Sequence, residues 1–275
     1  MVCRIAAWLA SRGVIDLVLN LHHLPATLTT VVGDGSDLGA RVRYSWEQPR
    51  LLGTAGGPRQ ALSILEADTF FLVNGDTLTD VSLDALASAH AASGALVTLA
   101  LVPNREFERY GGVEVDERGH VIGFAKPGPA SKDSWHFVGV QVVHASVFAS
   151  LPEGQPANTV GGIYDDLIGR RPGAVQAFCS DAAYWDIGTP GDYLRTSRAF
   201  STEASSWVDV GRRARIDPSA HVSASILWDD VEVGPGASLE ACIVTDNVRV
   251  PAGAAYTGSI LMETDDGLAV VPIDA

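Results

Sequence analysis

The feature that most constrains the fold is a gapless 17-residue repeat in the last quarter of the chain. Its copies begin "RIDPSAHVSASILWDD", "EVGPGASLEACIVTDN" and "RVPAGAAYTGSILMET". Ile216, Val233 and Val250 hold equivalent positions, and within each copy an apolar residue recurs six positions later. Three copies of one short unit predict a solenoid whose coils stack on one another. The six-residue spacing, with small residues at the turns, favours a β-helix.

The chain before the repeat alternates short apolar strands with helical patterns, which is typical of an α/β domain with a mainly parallel sheet. We predict strands at 15–21, 41–46, 69–73, 95–102, 137–143 and 174–179. We predict helices at 25–32, 58–65, 83–92 and 190–199. The stretch "GGVEVDERGHVIGFAKP" is typical of a β-hairpin that turns at residues 116–119.

The chain opens inside a helix, because Val2, Ile5, Ala6 and Leu9 form an apolar stripe with no N-cap residue before it. The stretch "STEASS" (201–206) is a plausible linker. We therefore predict a domain at 1–203, three repeat coils at 208–264 and a tail at 265–275.

Charge and cysteine content exclude several classes of function. The formal net charge is −14, which disfavours non-specific binding to nucleic acid or to an anionic membrane. No apolar run approaches the ~18 residues that a membrane span needs. Cys3, Cys179 and Cys242 are far apart and form no CxxC pair, which argues against zinc and disulfides and fits a cytoplasmic location.

Two aspartates lie at the ends of apolar stretches. "FFLVNGD" ends in Asp76, and "AAYWDIGTP" carries Asp186 just before a helix that Thr189 is expected to cap. Open α/β sheets bind ligands at the carboxyl ends of their strands. Mg²⁺ prefers a few carboxylates together with substrate phosphates, so the two aspartates are candidates to share one Mg²⁺. The alternative role of Asp76 is to cap the following segment.

Two further stretches are candidates for ligand binding. "LLGTAGGPRQAL" contains glycines that let the backbone approach a nucleobase or phosphate, and we expect Pro58 to begin the helix after them. "FAKPGP" places Lys126 after a strand, where its charge can reach a sugar phosphate. Taken singly, each pattern is also compatible with an ordinary turn or a solvated surface lysine.

In this order, "LGTAGG", "VNGD", a hairpin leading to "KP", and "WDIGTP" make the chain resemble the sugar-1-phosphate nucleotidyltransferases. The form of the glycine segment and the C-terminal repeat are most similar to the mannose-1-phosphate guanylyltransferase type. The resemblance implies a Rossmann-like nucleotidyltransferase domain followed by a short left-handed β-helix of hexapeptide-type repeats. It covers essentially the whole chain.

The resemblance also implies a reaction and a set of site residues. A nucleoside triphosphate and a sugar 1-phosphate would give a nucleotide sugar and pyrophosphate, without a covalent enzyme intermediate. Asp76 and Asp186 would bind Mg²⁺, and Lys126 would face the sugar phosphate. The nucleobase would be held by Gly53, Thr54 and Gly56, with Glu47 as a weaker candidate, while Gly112 would face the sugar phosphate and Gly139 the sugar.

The sequence departs from the family pattern in two places. Ala125 stands where the family has the Glu of its E-K-P, and that Glu commonly contacts sugar hydroxyls. The family's opening strand and its G-x-G-T-R triphosphate signature have no counterpart in these residues. We therefore expect the domain to lack its first strand, between 15–21 and 69–73, and the chain by itself to have little or no activity.

Two other functions remain open at this point. A non-catalytic regulatory or assembly paralogue would keep the fold and contact an active partner through the β-helix, which is also a candidate surface for homo-oligomers. An acyltransferase is the third alternative, because hexad β-helices often serve that class and His221 lies in the repeat. His221 matches Ser238 in the next copy, which indicates an exposed turn instead of a catalytic base.

Overall fold

A computed structural model of the protein describes residues 1–201 and 207–273, and the chain divides into two compact units, Met1–Tyr184 and Trp185–Ala275. The predicted linker lies almost wholly outside the described residues. The helices are α1 (Val2–Ser11), α2 (Pro25–Val32), α3 (Gly53–Leu65), α4 (Leu83–Ser93), α5 (Ser146–Ala149), α6 (Tyr164–Arg170) and α7 (Pro190–Ala199). Short 3-10 turns occupy Ser36–Leu38 and Pro129–Ser131, and an irregular turn, Thr159–Ile163, precedes α6.

The first unit contains a mixed central sheet. Its strands and their neighbours are β1 (Asp16–Leu21), β2 (Arg41–Trp46), β3 (Thr69–Val73), β4 (Thr77–Thr79), β5 (Val97–Pro103), β6 (Gly112–Val115), β7 (Val121–Ala125), β8 (Trp135–His144), β9 (Val175–Cys179) and β10 (Tyr184–Asp186). Strand β8 lies between β3 and β5 and is antiparallel to both, while β5 and β9 are parallel. Strands β3, β5 and β9 therefore all end at one edge of the sheet, and β8 begins there.

Strands β1 and β2 form a separate parallel pair, with Asp16 opposite Arg41 and Leu21 opposite Trp46. Strand β3 pairs with β8 in the central sheet. The two sheets contribute to one hydrophobic cluster that also includes α1 and α4, with Leu17 from β1 and Val140 from β8 among its buried members. The α/β class predicted from the sequence is confirmed by these elements.

Several local predictions are confirmed residue by residue. The bounds of β2, β3, α2 and α7 coincide with the predicted ones. Strands β6 and β7 form the predicted hairpin, whose turn closes with the Gly119 N–H donating to the Asp116 carbonyl over 3.0 Å. The α1 stripe is also confirmed, because Ile5, Ala6 and Leu9 are its buried residues.

The predicted start of α3 is wrong. The helix begins at Gly53, so Pro58 lies inside it instead of at its first position. The cause is a contact with a distant segment: the Ala157 carbonyl accepts the N–H groups of Ala55 and Gly56, over 2.9 and 3.2 Å. This carbonyl satisfies orphan donors of the first turn, which lets a glycine-rich stretch enter the helix.

The second unit contains stacked strands in three sheets, two of three strands and one of five. Its strands are β11 (Val208–Val210), β12 (Arg215–Ile216), β13 (His221–Ser223), β14 (Ser225–Leu227), β15 (Glu232–Val233), β16 (Ser238–Glu240), β17 (Ile243–Val244), β18 (Arg249–Val250), β19 (Ala255–Thr257), β20 (Ser259–Thr264) and β21 (Gly267–Pro272). Equivalent residues 17 apart are parallel partners, such as Ile216 with Val233 and Val233 with Val250. The repeat register is confirmed, and Leu239 and Val244 lie in the buried interior.

Helix α7 and the last strand also belong to the second unit. Tyr193 and Leu194 of α7 pack against Trp207 and against Ile226 of the repeat. The predicted tail contains β21, which pairs antiparallel with β20 and extends a five-stranded sheet. Within the described ranges, every helix is too short or too polar to span a lipid bilayer.

Candidate active site

The candidate site begins where β3 ends. The turn Asn74–Asp76 follows β3 directly, and Asp76 is exposed there. The Asn74 N–H donates to the Gly139 carbonyl over 2.8 Å. Gly139 has a φ of +76°, and a Cβ at this position would lie 2.9 Å from the Asn74 side chain. The structure therefore brings the turn that carries Asp76 directly against Gly139, two positions that are far apart in the sequence.

The β6–β7 hairpin brings Gly112 and Lys126 close together. Gly112 is opposite Ala125, the residue before Lys126. A Cβ on Gly112 would overlap the Ser134 hydroxyl, so the glycine allows the 131–134 turn to pack on the hairpin. The Ser131 hydroxyl donates to the Lys126 carbonyl over 2.6 Å, which fixes the backbone and leaves the lysine side chain exposed.

The glycine segment at the start of α3 is packed against residues 155–159. A Cβ on Gly53 would lie 2.7 Å from the Ala157 carbonyl oxygen, and one on Gly56 would lie 2.6 Å from the Gln155 carbonyl oxygen. The Thr54 hydroxyl accepts the Thr159 N–H over 2.9 Å. These glycines thus provide room for another part of the chain, and the nucleobase contacts predicted for them stay predictions.

Glu47 is a buried carboxylate, with 1% of its surface exposed. One carboxylate oxygen accepts the Asn20 side-chain amide, and the other accepts the Leu52 N–H over 2.5 Å. The two oxygens of its carboxylate therefore accept hydrogen bonds from the end of β1 and from the end of the loop before α3. Sequence reasoning identified Glu47 but not these partners.

Asp186 ends β10 and lies in the second compact unit, whereas Asp76 lies in the first. Three residues further on, the Thr189 hydroxyl accepts the Asp192 N–H over 3.1 Å, which confirms the predicted N-cap of α7. The joint binding of Mg²⁺ by Asp76 and Asp186 stays a prediction. Within residues 1–201 and 207–273, no group of three or more His, Cys, Asp and Glu residues is arranged to hold a metal ion.

An aromatic cluster at the same edge was missed in the sequence. The His136 ring lies between Tyr110, at a centroid distance of 4.4 Å, and Tyr184, at 4.7 Å. The Arg109 guanidinium lies over the Tyr110 ring at 4.9 Å. The sequence signal is an aromatic residue near the start of three separate strands. The contact of Tyr110 with His136 follows from the pairing of β6 with β8, in which Val113 lies opposite Trp135.

Comparison with known proteins places these features in a family. The family model described as "Nucleotidyl transferase" matches residues 1–203, and the model described as "GlmU-like, C-terminal hexapeptide" matches residues 206–259. The chain belongs to the nucleotidyl transferase family. The resemblance seen in the sequence motifs is thereby confirmed for both parts of the chain.

Individual members of the nucleotidyl transferase family are similar over much of this chain. The mannose-1-phosphate guanylyltransferase of Mycobacterium tuberculosis is 30% identical over 190 residues, which are 69% of this chain and 52% of that protein. The D-glycero-alpha-D-manno-heptose 1-phosphate guanylyltransferase of Aneurinibacillus thermoaerophilus is 29% identical, over 70% of this chain and 80% of that protein. The chain thus spans about half the length of the mycobacterial relative.

A solved structure shares the fold. HddC from Yersinia pseudotuberculosis, complexed with GMP-PN, has a TM-score of 0.63 and 21% sequence identity. The match covers 73% of this chain and 85% of that one.

Proposed function

We propose that this protein transfers a nucleotidyl group from a nucleoside triphosphate to a sugar 1-phosphate, giving a nucleotide sugar and pyrophosphate. The proposal rests on the arrangement of residues at the edge of the central sheet where β3 ends. There the turn that carries Asp76 lies against Gly139, in a chain that the nucleotidyl transferase model matches over residues 1–203. Open α/β sheets bind ligands at this edge. The free cysteines support the prediction of a reducing, cytoplasmic compartment.

Asp76 and Asp186 are the residues we propose for Mg²⁺. Asp76 follows β3, and Asp186 is the last residue of β10. Their chemistry suits Mg²⁺, which takes one or two carboxylates and completes its shell with phosphate oxygens and water. A bound Mg²⁺ would neutralise charge that develops on the phosphates during transfer.

Lys126 is the cation we propose for the sugar phosphate. The formal net charge of −14 repels a phosphorylated substrate at long range, so binding needs a local positive charge. The exposed side chain of Lys126, on a backbone fixed by Ser131, supplies one. In a reaction without a covalent intermediate, positioning and charge neutralisation provide the rate enhancement.

A guanylyl donor and a manno-configured sugar are the preferred substrates of this proposal. The relatives from Mycobacterium tuberculosis and Aneurinibacillus thermoaerophilus are named as guanylyltransferases of mannose and manno-heptose 1-phosphates. A cyanobacterial relative, from Synechocystis, is named as a glucose-1-phosphate uridylyltransferase and is 26% identical, so UTP and glucose 1-phosphate are the competing pair to test.

The test is pyrophosphate release from GTP or UTP with mannose 1-phosphate or glucose 1-phosphate, by residues 1–275 alone and by a form extended with the family's opening strand and G-x-G-T-R signature. We expect little or no release from residues 1–275 alone, so the variants are compared in the extended form. We expect Lys126→Ala to lower kcat/KM by about 100-fold, by analogy with other single transition-state donors. Lys132→Ala is the matched control, because Lys132 is the chain's only other lysine and is also exposed. Equal losses in the two variants would contradict the role of Lys126.

A non-catalytic regulatory or assembly role is the second candidate. It is favoured by one observation, that residues 1–275 contain no G-x-G-T-R stretch. The same assay separates the two functions. Pyrophosphate release by the extended form favours the enzyme, whereas nucleotide-sugar binding without release by that form favours the regulatory role.

A further inference from the structure

Asn104 directly follows β5 and is buried, with 7% of its surface exposed. Its backbone N–H donates to the Ser134 carbonyl over 3.1 Å. Its side-chain nitrogen donates to the Tyr110 carbonyl over 3.4 Å, to the Gly111 carbonyl over 3.4 Å and to the Ser134 hydroxyl over 3.3 Å. One side chain therefore joins the segment that enters β6 to the turn that precedes β8.

The partners of this amide determine which way it faces. A backbone carbonyl oxygen can only accept, so the amide must present its N–H₂ group to Tyr110 and Gly111. The Ser134 hydroxyl donates to the Ser131 carbonyl over 2.5 Å, so it too accepts from Asn104. Oδ1 of Asn104 is buried without a hydrogen-bond partner in residues 1–201 and 207–273. An unpaired buried acceptor is unfavourable, so what favours an amide here is the donation from its nitrogen.

The turn at residues 131–134 connects Asn104 with the two residues proposed to face the sugar phosphate. Ser131 is fully buried, and its hydroxyl donates to the Lys126 carbonyl over 2.6 Å. A Cβ on Gly112 would overlap the Ser134 hydroxyl and would lie 3.1 Å from Cβ of Ser131. The turn therefore packs against Gly112 and is hydrogen-bonded to the backbone of Lys126.

The backbone at Gly111 is in close contact with the other strand of the hairpin. A Cβ on Gly111 would lie 2.7 Å from the Ala125 carbonyl oxygen, and Gly112 is opposite Ala125 in the β6–β7 pairing. Because Lys126 follows Ala125 directly, a displacement of the backbone at Gly111 also displaces the lysine. The bonds that Asn104 donates thus act on both Gly112 and Lys126.

We propose that Asn104 is a positioning residue for the sugar-phosphate side of the site. It holds the backbone before β6 against the 131–134 turn, and the turn fixes Gly112 and the backbone of Lys126. This rests on the proposed function, in which those two residues face the sugar phosphate. In the part of the chain that the structure describes, the partners of the Asn104 nitrogen lie in these two segments. We therefore expect the binding of the sugar phosphate, and not of the nucleoside triphosphate, to depend on Asn104.

The variant N104L removes the donor and keeps a side chain of similar size. A role in filling space would survive this change, because leucine occupies the same region and also removes the unpaired oxygen. The matched control is T98V on the same strand, which removes a buried hydroxyl that is hydrogen-bonded to His90 over 2.8 Å. Ser134→Ala is the second variant and replaces N104L if that chain does not fold, because it removes one acceptor of the Asn104 nitrogen.

The first measurement is hydrogen exchange in residues 1–275. The Ser134 amide, which donates to the Ser131 carbonyl over 3.3 Å, should exchange about tenfold faster in N104L. The Val97 amide donates to the Ala174 carbonyl over 3.0 Å and reports on the stability of the central sheet. Unchanged exchange at Ser134 would overturn the local role of Asn104. Equal acceleration at Ser134 and Val97 would also overturn it, because it would indicate a loss of global stability.

The second measurement is the pair of KM values in the extended form, one for the sugar 1-phosphate and one for the nucleoside triphosphate. We expect N104L to raise KM for the sugar 1-phosphate about tenfold and to leave KM for the nucleoside triphosphate within about twofold. Equal rises in the two values, or the same rise in T98V, would overturn the proposal. If the unsubstituted extended form releases no pyrophosphate, the proposed function fails. The exchange at Ser134 then still decides whether Asn104 holds the turn.

Discussion

Substituting Gly139 with alanine tests the contact between the Asp76 turn and β8. Gly139 adopts φ +76°, in the left-handed region, where an alanine costs about 1–2 kcal/mol. Its Cβ would also lie 2.9 Å from the Asn74 side chain, so the turn must shift, and overpacking of this kind costs about 1–3 kcal/mol. The expected total loss in unfolding free energy for Gly139→Ala is about 2–5 kcal/mol.

Gly94 provides a matched control for this substitution. It has a similar φ of +65°, at the end of α4, but no atom lies within 4 Å of a Cβ built there. Gly94→Ala should therefore show only the backbone cost, about 1–2 kcal/mol. Urea denaturation of both variants, with unchanged m-values, measures the difference. Equal losses would refute the argument that Asn74 packs on Gly139, and pyrophosphate release that survives intact in Gly139→Ala would show that the contact does not matter for the site.

Further predictions concern stability. Leu239 is 1% exposed in the repeat interior, and Leu239→Ala should lower the free energy of unfolding by about 2–5 kcal/mol. The neighbouring Ser238 is exposed, and Ser238→Ala should change the free energy of unfolding by less than about 0.5 kcal/mol in the same denaturation assay. Thr189→Ala should lower the free energy of unfolding by about 1 kcal/mol, because it removes the N-cap of α7. Thr189→Ser keeps the hydroxyl and should retain most of that stability, so equal melting temperatures of the two variants would contradict the role of the cap. Burial, and secondarily the charge of His144, lowers the pKa of His90 in the folded protein. The neutral form of His90 therefore stabilises the fold above pH ~6.5, the pKa of an unfolded histidine, and this stabilisation is lost as the pH falls below that value. Melting temperatures from pH 8 to 5 should therefore fall less steeply in His90→Gln, and parallel curves would exclude His90.

The sequence predicts best where a local period decides the structure. The 17-residue repeat fixed the register of Ile216 with Val233, because parallel stacking requires equivalent residues to be neighbours. The α7 cap was also predictable, since Thr189 and Asp192 carry the whole motif within four residues. The first and last residues of β2 were predictable, because charged or turn residues lie at both ends of its apolar pattern.

Long-range contacts explain what could not be predicted. The start of α3 depends on the Ala157 carbonyl, about a hundred residues away, and no local pattern indicates it. The direction of β8 is equally hidden, because a strand buried on both faces has the same apolar run in either orientation. For the same reason the motifs indicated Asp76 and Gly139 separately, while their proximity depends on the pairing of β3 with β8.

The register of the repeat fixes the step in which the length of the second unit can change. Each coil adds one strand spacing, about 4.8 Å, and places every residue over its equivalent 17 positions earlier. Inserting or deleting a full 17 residues would therefore lengthen or shorten the stack by one step and keep every apolar side chain inside. A change of one residue instead moves each following side chain to the opposite face of its strand. The length of this unit therefore changes in steps of one 17-residue coil. We expect longer forms, evolved or engineered, to differ from it by whole coils.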